Sequence, residues 1–393
     1  MSIQNYLRES YLRGLVTPDK VTIPYQAFIR KLSNDNLKVF HPYVTYRTHP
    51  YLRERWYGAN APVKWSTFKD SKLIHTVGSE ETWSRSSKKH IILDPNDNAW
   101  VLLRNSDTNV NMFDAKNIRK SFDYLSEDRV KLIFLMSEEI IGQFKHLFGH
   151  ELDHKIINTE SISPRLILAD DREGFYKRLR KLQIGERKIK VLCLASDFEI
   201  KCVREIIQAW NLLDPSNAEL TLVVPRLSTV QRRDSEHCKS VRIIEHAPLS
   251  RTAKSRLLKS HDISLCLTWI DGGANIYEAV EHQHAVITTV NHRTSANRLL
   301  GAHLIDPNIQ YYDINKYGSN WSDQREYMQY IYSCHGLSYR EGLVQALIST
   351  LTIFFEDYEL IETAGTRAAS LATKYSIKNS NQHLRKIYAS AMS

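Results

Sequence analysis

The feature that most constrains the fold is an alternation of apolar runs and amphipathic segments in the second half of the chain. Apolar, strand-like runs occupy 188–196, 219–224, 241–247, 263–269 and 285–290. Between them, apolar residues recur at helical spacing in 201–213, 250–261 and 275–283. The run 263–269 is nearly all apolar, which is typical of a parallel strand buried on both faces. This alternation predicts a doubly wound α/β domain.

The first half contains similar but less regular units. Its strand-like runs occupy 37–46, 71–79, 90–94, 98–103, 130–137 and 155–163. Residues 137–149 have the pattern of a helix, with Ser137 as the N-cap and Gly149 at the C-terminal end. The charged stretch 169–190 is expected to link the two halves, and two successive helices are expected from residue 338 onward.

The length and the cysteines indicate a chain of more than one domain in a reducing compartment. A chain of 393 residues is too long for one ordinary core. We predict an N-terminal domain at 1–187, a ligand-binding domain at 188–335, and C-terminal helices at 336–393 that pack back toward the first domain. The start of the sequence lacks a secretion signal, and no apolar run approaches the roughly 20 residues that span a bilayer. A cytoplasmic location with reduced thiols is expected, because the cysteines are odd in number and lack C-x-x-C spacing: Cys193, Cys202, Cys238, Cys266 and Cys334.

The charge balance narrows the class of partner. Lysine and arginine number 53 against 44 acidic residues, a net charge of +9. Such an excess suits phosphate-bearing ligands, an anionic membrane surface or nucleic acid, and it also suits simple solubility. The densest basic runs, at 88–90 and 180–190, carry no recognisable nucleic-acid motif. We therefore expect no specific nucleic-acid partner and leave open a peripheral contact with a membrane.

Residues 149–155, Gly-His-Glu-Leu-Asp-His-Lys, contain the H-E-x-x-H pattern of zinc hydrolases. On one uninterrupted helix, His150 and His154 could bind a zinc ion and Glu151 could act as a general base. Gly149 instead predicts that the preceding helix ends just before the pattern, and the apolar residues after it predict a strand. We expect a solvated helix-to-strand connection and no metal site, with a zinc hydrolase as the less favoured alternative.

Two stretches of the second half predict a phosphate-binding pocket. Lys201 follows a strand and lies at the start of a predicted helix, and Gly272 and Gly273 lie between a buried strand and the next helix. Ligands of parallel α/β folds bind beyond the carboxyl ends of the strands. Amide groups at helix starts favour anions, and Lys201 adds a positive charge. Glu278 could accept hydrogen bonds from a ribose diol. Together these parts predict a nucleotide-diphosphate site.

The part of the chain from about 188 to 393 resembles the nucleotide-sugar domain of retaining GT-B glycosyltransferases, particularly glycosyltransferase family 4. The family's G-R-x-x-x-x-K-G loop corresponds to the stretch from Ser196 to Lys201. Its E-G-F-G-x-x-x-x-E-A-M-A motif corresponds to Ile-Asp-Gly-Gly-Ala-Asn-Ile-Tyr-Glu-Ala-Val-Glu, which aligns its phosphate-facing glycine with Gly273 and its second glutamate with Glu278. The resemblance implies the GT-B fold, two Rossmann-like doubly wound domains that face a central cleft, with the acceptor side in the first domain.

The sequence departs from the family motifs at two positions that face the donor. Ser196 stands where the family has arginine, which leaves Lys201 as the cation of those two motif positions. Ile270 replaces the first glutamate, although Asp271 is adjacent. These departures leave open a GT-B protein that binds a sugar nucleotide without turning it over.

The resemblance implies transfer of a sugar from a nucleotide-diphosphate donor to a glycan or other hydroxyl acceptor, with retention of anomeric configuration. The departing phosphates would be held by the ammonium group of Lys201 and by the backbone amides of Gly272, Gly273 and Ala274. No cofactor and no obligatory divalent cation are therefore expected, because these groups supply the charge stabilisation that the reaction needs. Asp271 or Asn275 is expected to contact the donor sugar.

The remaining candidates lie at other strand ends. The nucleotide base is expected against the backbone where adjacent strands end, either near Pro225–Arg226 or near Glu245–Ala247, with Pro225 and His246 as the candidate residues. In the first half, His75 is the preferred polar group on the catalytic side, because it is expected at a strand end just before Gly78, and Asp94 is the second choice. Each has a plainer structural alternative, an exposed turn residue or a hydrogen-bonded core histidine.

Overall fold

The structure is a computed structural model of the whole chain. It describes these residues: 38–40, 73–77, 90–94, 102, 115–135, 137–159, 172–229, 231–232, 240–245, 249, 251–269, 275–290, 298, 301–306, 328–374, 386–387 and 390–391. The chain divides into two compact units. The first is formed by Met1–Leu166 and Ile377–Ser393, and the second by Ile167–Ser376.

The first unit is built on a five-stranded parallel sheet of order β1-β2-β3-β4-β5. Its strands are β1 (Lys38–Phe40), β2 (Leu73–Val77), β3 (His90–Asp94), β4 (Val130–Leu135) and β5 (Ile156–Asn158). The described part of this unit contains two α-helices, α1 (Ala115–Ser126) and α2 (Glu138–Phe148). Ile91 of β3, Ile133 of β4 and Phe144 of α2 are fully buried in one apolar core. The strand predicted at 98–103 lies almost wholly outside the described residues.

Both ends of helix α2 follow the predicted capping chemistry. The Ser137 hydroxyl accepts a hydrogen bond from the backbone N–H of Ile140 at 3.2 Å. Gly149 has a φ of 73°, in the region that favours glycine, and its N–H donates to the carbonyl oxygen of Lys145. The predicted helix and both of its terminal residues are confirmed.

The second unit is built on a six-stranded parallel sheet of order β11-β10-β9-β6-β7-β8. Its strands are β6 (Ile189–Leu194), β7 (Ala218–Val224), β8 (Val241–Glu245), β9 (Ile263–Leu265), β10 (Ala285–Thr289) and β11 (His303–Ile305). Among its described residues, the α-helices are α3 (Arg172–Gln183), α4 (Val203–Leu213), α5 (Arg251–Ser260), α6 (Asn275–Glu281), α7 (Leu337–Glu356) and α8 (Tyr358–Lys374). The predicted doubly wound α/β arrangement is confirmed.

Strand β9 is shorter than its apolar run predicted. It ends at Leu265, whereas the run extends to Trp269. The backbone after it is held by other partners: Thr268 N–H donates to the hydroxyl of Thr289, and Trp269 N–H donates to the carbonyl oxygen of Ile200. The end of the run therefore leaves the strand ladder and bends over the neighbouring loop.

The stretch 169–190, predicted to link the two halves, contains helix α3 of the second unit. Phe175, Leu179 and Leu182 recur at helical spacing on its buried face. The helix packs against α5 and α8. Most of its charged residues are exposed, Arg178 being an exception, and these exposed charges explain why the stretch resembled a linker.

Helices α7 and α8 confirm the two successive helices predicted from residue 338, and both pack within the second unit. Helix α7 covers α4, while α8 lies against α6, β10 and α3. Gly365 is the point of closest approach: a Cβ atom there would meet the ring of Phe175 and lie 2.8 Å from the carbonyl oxygen of Gln283.

Replacing Gly365 with alanine should destabilise the second unit by about 1–3 kcal/mol, because the added methyl group cannot fit without moving α8 away from α3. The midpoint of thermal unfolding measures this effect. Gly142→Ala is the matched control: apart from the adjacent residues and the backbone of its own helix, no atom would lie within 4 Å of the added Cβ. Alanine is also the better helix former, so this variant should stabilise by roughly 0.5–1 kcal/mol. Equal midpoints for the two variants would contradict the close packing of α8.

Candidate functional site

The strand order of the second sheet defines a topological switch point between β6 and β9. From β6 the chain builds outward to β7 and β8, and it then crosses back to add β9, β10 and β11 on the other side. Ligands of open parallel sheets bind at the carboxyl ends of the two strands at such a point. The loop after β6 contains Lys201, and the segment after β9 leads to the predicted glycine pair.

The loop that presents Lys201 has a defined backbone. The Asp197 carboxylate accepts hydrogen bonds from the N–H groups of Glu199 at 3.0 Å and Ile200 at 2.8 Å. Cys202 then takes a left-handed conformation, with a φ of 54°, and helix α4 begins at Val203. The helix therefore begins two residues later than predicted, and Lys201 lies in the turn before it.

The ammonium group of Lys201 donates a hydrogen bond to the hydroxyl of Thr268 at 3.4 Å. Thr268 is fully buried and is held by the side chain of Thr289, which accepts from its N–H at 3.1 Å and donates to its carbonyl oxygen at 2.6 Å. The carboxyl ends of β6, β9 and β10 are thereby joined through side chains. Thr268 was not predicted from the sequence, although a hydroxyl residue within a nearly apolar run was a usable signal.

Glu278 lies in the first turn of α6 and forms an ion pair with Lys254 in the first turn of α5. Both side chains are about one-third exposed, at 35% and 27%. Lys254 is a second cation at this edge of the sheet that sequence reasoning missed. A carboxylate oriented by a lysine retains acceptor capacity for a hydroxyl ligand.

Two of the predicted residues, Lys201 and Glu278, both influence the pKa of one thiol, that of Cys266. Burial raises the pKa of Cys266, just after β9, well above its ordinary value, and neighbouring Cys193 and Glu278 raise it further. Lys201 and Lys254 act in the opposite direction on the same thiol. Lys201 and Glu278 therefore both lie near the same strand end, and their pairing in one donor site stays a prediction.

The other predicted donor-site residues are only partly described. Asp271, Gly272, Gly273, Ala274 and His246 lie outside the described residues. Asn275 is the first residue of α6. Ser196 is exposed in the loop after β6, and Pro225 is half-buried directly after β7. At the edge where the base was predicted, the N–H of Leu227 donates to the Glu245 carboxylate at 3.2 Å, which joins the ends of β7 and β8.

The first-unit candidates are placed on neighbouring strands. His75 is the central residue of β2 and pairs with Ile92 of β3, so it lies two residues before the strand end where it was predicted. Asp94 is the last residue of β3 and pairs with Val77 of β2.

The H-E-x-x-H stretch forms the predicted connection between a helix and a strand. Helix α2 ends at Phe148, and a short 3-10 helix, Asp153–Lys155, precedes β5. His150 lies in a turn with its Nδ1 atom 3.2 Å from the Asp153 carboxylate, so the two histidines do not share one α-helix. Among the residues that the structure describes, no group of three or more His, Cys, Asp or Glu side chains could hold a metal ion.

In the described part of the chain, no helix combines the length and the apolar character needed to cross a bilayer.

Comparison with solved structures identifies the class of fold. HepE of Anabaena, in complex with UDP-glucose, matches with a TM-score of 0.52 and 13% identity over 83% of this chain and 80% of its own. Sucrose-phosphate synthase of Thermosynechococcus elongatus matches with a TM-score of 0.52 and 11% identity over 88% and 78%. The E. coli trehalose-6-phosphate protein bound with UDP-2-fluoro glucose matches with a TM-score of 0.52 and 12% identity over 98% and 85%. No protein-family model and no curated protein matches the sequence. The fold is GT-B, with Rossmann-like parallel α/β units.

Proposed function

We propose that the protein is a glycosyltransferase that transfers a sugar from a nucleotide-diphosphate donor to a glycan or other hydroxyl acceptor. The single observation that supports this most is the position of Lys201. Its ammonium group lies at the switch point of the second sheet, 3.4 Å from the hydroxyl of Thr268. A cation at that edge, beside a helix start, suits the oxygens of a diphosphate.

The proposed roles follow from the charge that develops during transfer. The departing nucleotide diphosphate gains negative charge, which the Lys201 ammonium and the amides of 272–274 would stabilise. Glu278, oriented by Lys254, would accept hydrogen bonds from the ribose. We propose retention of configuration and independence from a divalent ion, because these groups supply the cationic environment that the leaving group requires. The first unit is proposed to bind the acceptor, with His75 as its polar group.

Binding of a sugar nucleotide without turnover is the second candidate function. Ser196, which stands where the resembling family has arginine, is exposed and brings no cation to the loop after β6. Ile270 likewise stands at the position of the family's first glutamate. A site with fewer charged groups stabilises the departing diphosphate less, while it could still bind the donor.

Incubation of the purified protein with UDP-, ADP-, GDP- and dTDP-sugars tests the proposal. At least one of them should raise the thermal unfolding midpoint and be hydrolysed slowly to its nucleoside diphosphate in the absence of an acceptor. Both effects should persist in the presence of EDTA. Stabilisation without hydrolysis, even with a library of hydroxyl acceptors, would favour the non-catalytic binder. No stabilisation and no hydrolysis with any donor would overturn both.

A further inference from the structure

Tyr332 connects the two loops of the candidate site. Its hydroxyl lies 3.1 Å from the carbonyl oxygen of Glu199, in the loop after β6, and 3.1 Å from Oε2 of Glu205, in the first turn of α4. The indole N–H of Trp269, in the segment after β9, donates to the same hydroxyl at 3.2 Å. Glu205 is 1% exposed, so loss of one of its hydrogen bonds would carry a free-energy penalty, because water does not reach the side chain to replace the partner.

The protons around the Tyr332 oxygen allow only one complete set of hydrogen bonds. The Trp269 indole can only donate, the Glu199 carbonyl can only accept, and the tyrosine has a single proton. When Glu205 is protonated, it donates to the tyrosine oxygen and the tyrosine donates to Glu199. When Glu205 is ionised, the carboxylate and the carbonyl compete for one proton. All three contacts are therefore satisfied only in the protonated state.

The surroundings of Glu205 favour that state near neutral pH. Burial raises the pKa of Glu205 to about 7, and the charge of Glu199 adds to the rise. Hydrogen bonds from the backbone and from Tyr332, together with the charge of Arg340 on α7, oppose it. Among the described residues, the buried Cys202 thiol and the guanidinium groups of Arg204 and Arg340 also face this cluster. The Arg204 and Arg340 groups lie 5.6 Å and 5.4 Å from the centre of the Tyr332 ring.

We propose that Glu205 and Tyr332 are positioning residues of the donor site, and that protonated Glu205 completes the hydrogen bonds that hold its two loops together. Lys201 follows Glu199 by two residues, and Thr268 immediately precedes Trp269, so the cluster sets the distance between the groups proposed to bind the diphosphate. The inference rests on the proposed function, since it concerns the regulation of the same site. Donor affinity should then fall as the pH rises through neutrality.

Two measurements on the full chain test this inference. The first follows the indole N–H resonance of Trp269, assigned with Trp269→Phe, by NMR between about pH 6 and about pH 8.5. It should shift with a midpoint near neutrality in the wild type and stay constant in Glu205→Gln, whose neutral amide still donates. This measurement needs no donor.

The second measures the dissociation constant of UDP-glucose, whose diphosphate keeps the same charge over this range. It should rise at least threefold from the acidic to the alkaline end in the wild type, and change less than twofold in Glu205→Gln. Tyr332→Phe should weaken binding at every pH, with KM affected more than kcat. Tyr339→Phe, which removes a nearby hydroxyl outside the cluster, should leave the affinity and its pH dependence unchanged.

The outcomes separate this inference from the proposed function. Donor binding with the same pH dependence in the wild type and Glu205→Gln, or an indole resonance that does not titrate, would overturn the inference alone. A titrating indole in a protein that binds none of the nucleotide sugars would support the proton-dependent cluster and refute the proposed function.

Discussion

Replacement of Lys201 by alanine should lower kcat/KM for the donor by about a hundredfold or more, with little change in thermal stability. The ammonium group lies at the switch point and is half-buried, so its attraction for a departing diphosphate is only partly screened by water. Its hydrogen bond to Thr268 is long, at 3.4 Å, and contributes little to folding. Steady-state kinetics with the donor identified in the panel measure the loss.

Lys190→Ala is the matched control for this variant. Lys190 lies on β6, the strand that precedes the loop of Lys201, at the amino edge of the sheet, and it forms an exposed ion pair with Glu219. Its removal should leave donor kinetics unchanged. Glu278→Ala should weaken donor binding by about tenfold through loss of the proposed ribose contact. If Lys201→Ala and Glu278→Ala both transfer sugar at the wild-type rate, the donor site has been misplaced.

Replacement of Asp262 by alanine should destabilise the second unit by about 3–5 kcal/mol, because it leaves buried guanidinium groups without their carboxylate. The Asp262 side chain is 3% exposed and contacts Arg187 and Arg178, which are 15% and 11% exposed. It also accepts a hydrogen bond from the backbone N–H of Lys190 at 2.9 Å, at the start of β6. Thermal and denaturant unfolding of the variant measure the effect.

Glu219→Ala provides the comparison on the neighbouring strand. Its ion pair with Lys190 spans 3.9 Å and is 49% exposed on the carboxylate side, so its loss should cost less than about 1 kcal/mol. Similar unfolding midpoints for the two variants would contradict a structural role for the Asp262 cluster.

The sequence predicted strand positions best where the burial of a strand produces a continuous run of apolar residues. Strands β3, β6 and β7 were predicted within a few residues, because their apolar runs reflect burial on both faces of a parallel sheet. The end of β9 was mispredicted, since the amides of Thr268 and Trp269 are satisfied by a side chain and a loop that lie far away in sequence. Helix α3 could have been found from the spacing of its three buried apolar residues.

In the candidate site, too, some residues were predicted from local sequence patterns, whereas the contacts between distant residues were not. Lys201 and Glu278 were accessible to sequence reasoning, because Lys201 lies in the turn between a strand and a helix and Glu278 lies in the first turn of a helix. Thr268 meets Lys201 from 67 residues away, and Tyr332 meets Glu205 from 127 residues away. Neither contact leaves a pattern in a single sequence, since it depends on strand order and on where α7 begins.

The contact between α3 and α8 has a consequence for how the second unit is made. Its sheet is complete by β11, yet Phe175, before the first strand, packs at Gly365, beyond the last. During synthesis, the packing of α3 against α8 can be completed only after the ribosome has released the chain as far as residue 374, the end of α8. A fragment that contains only the strands and the segments between them would lack α3 and α8. The apolar residues that these two helices cover would then be exposed to water.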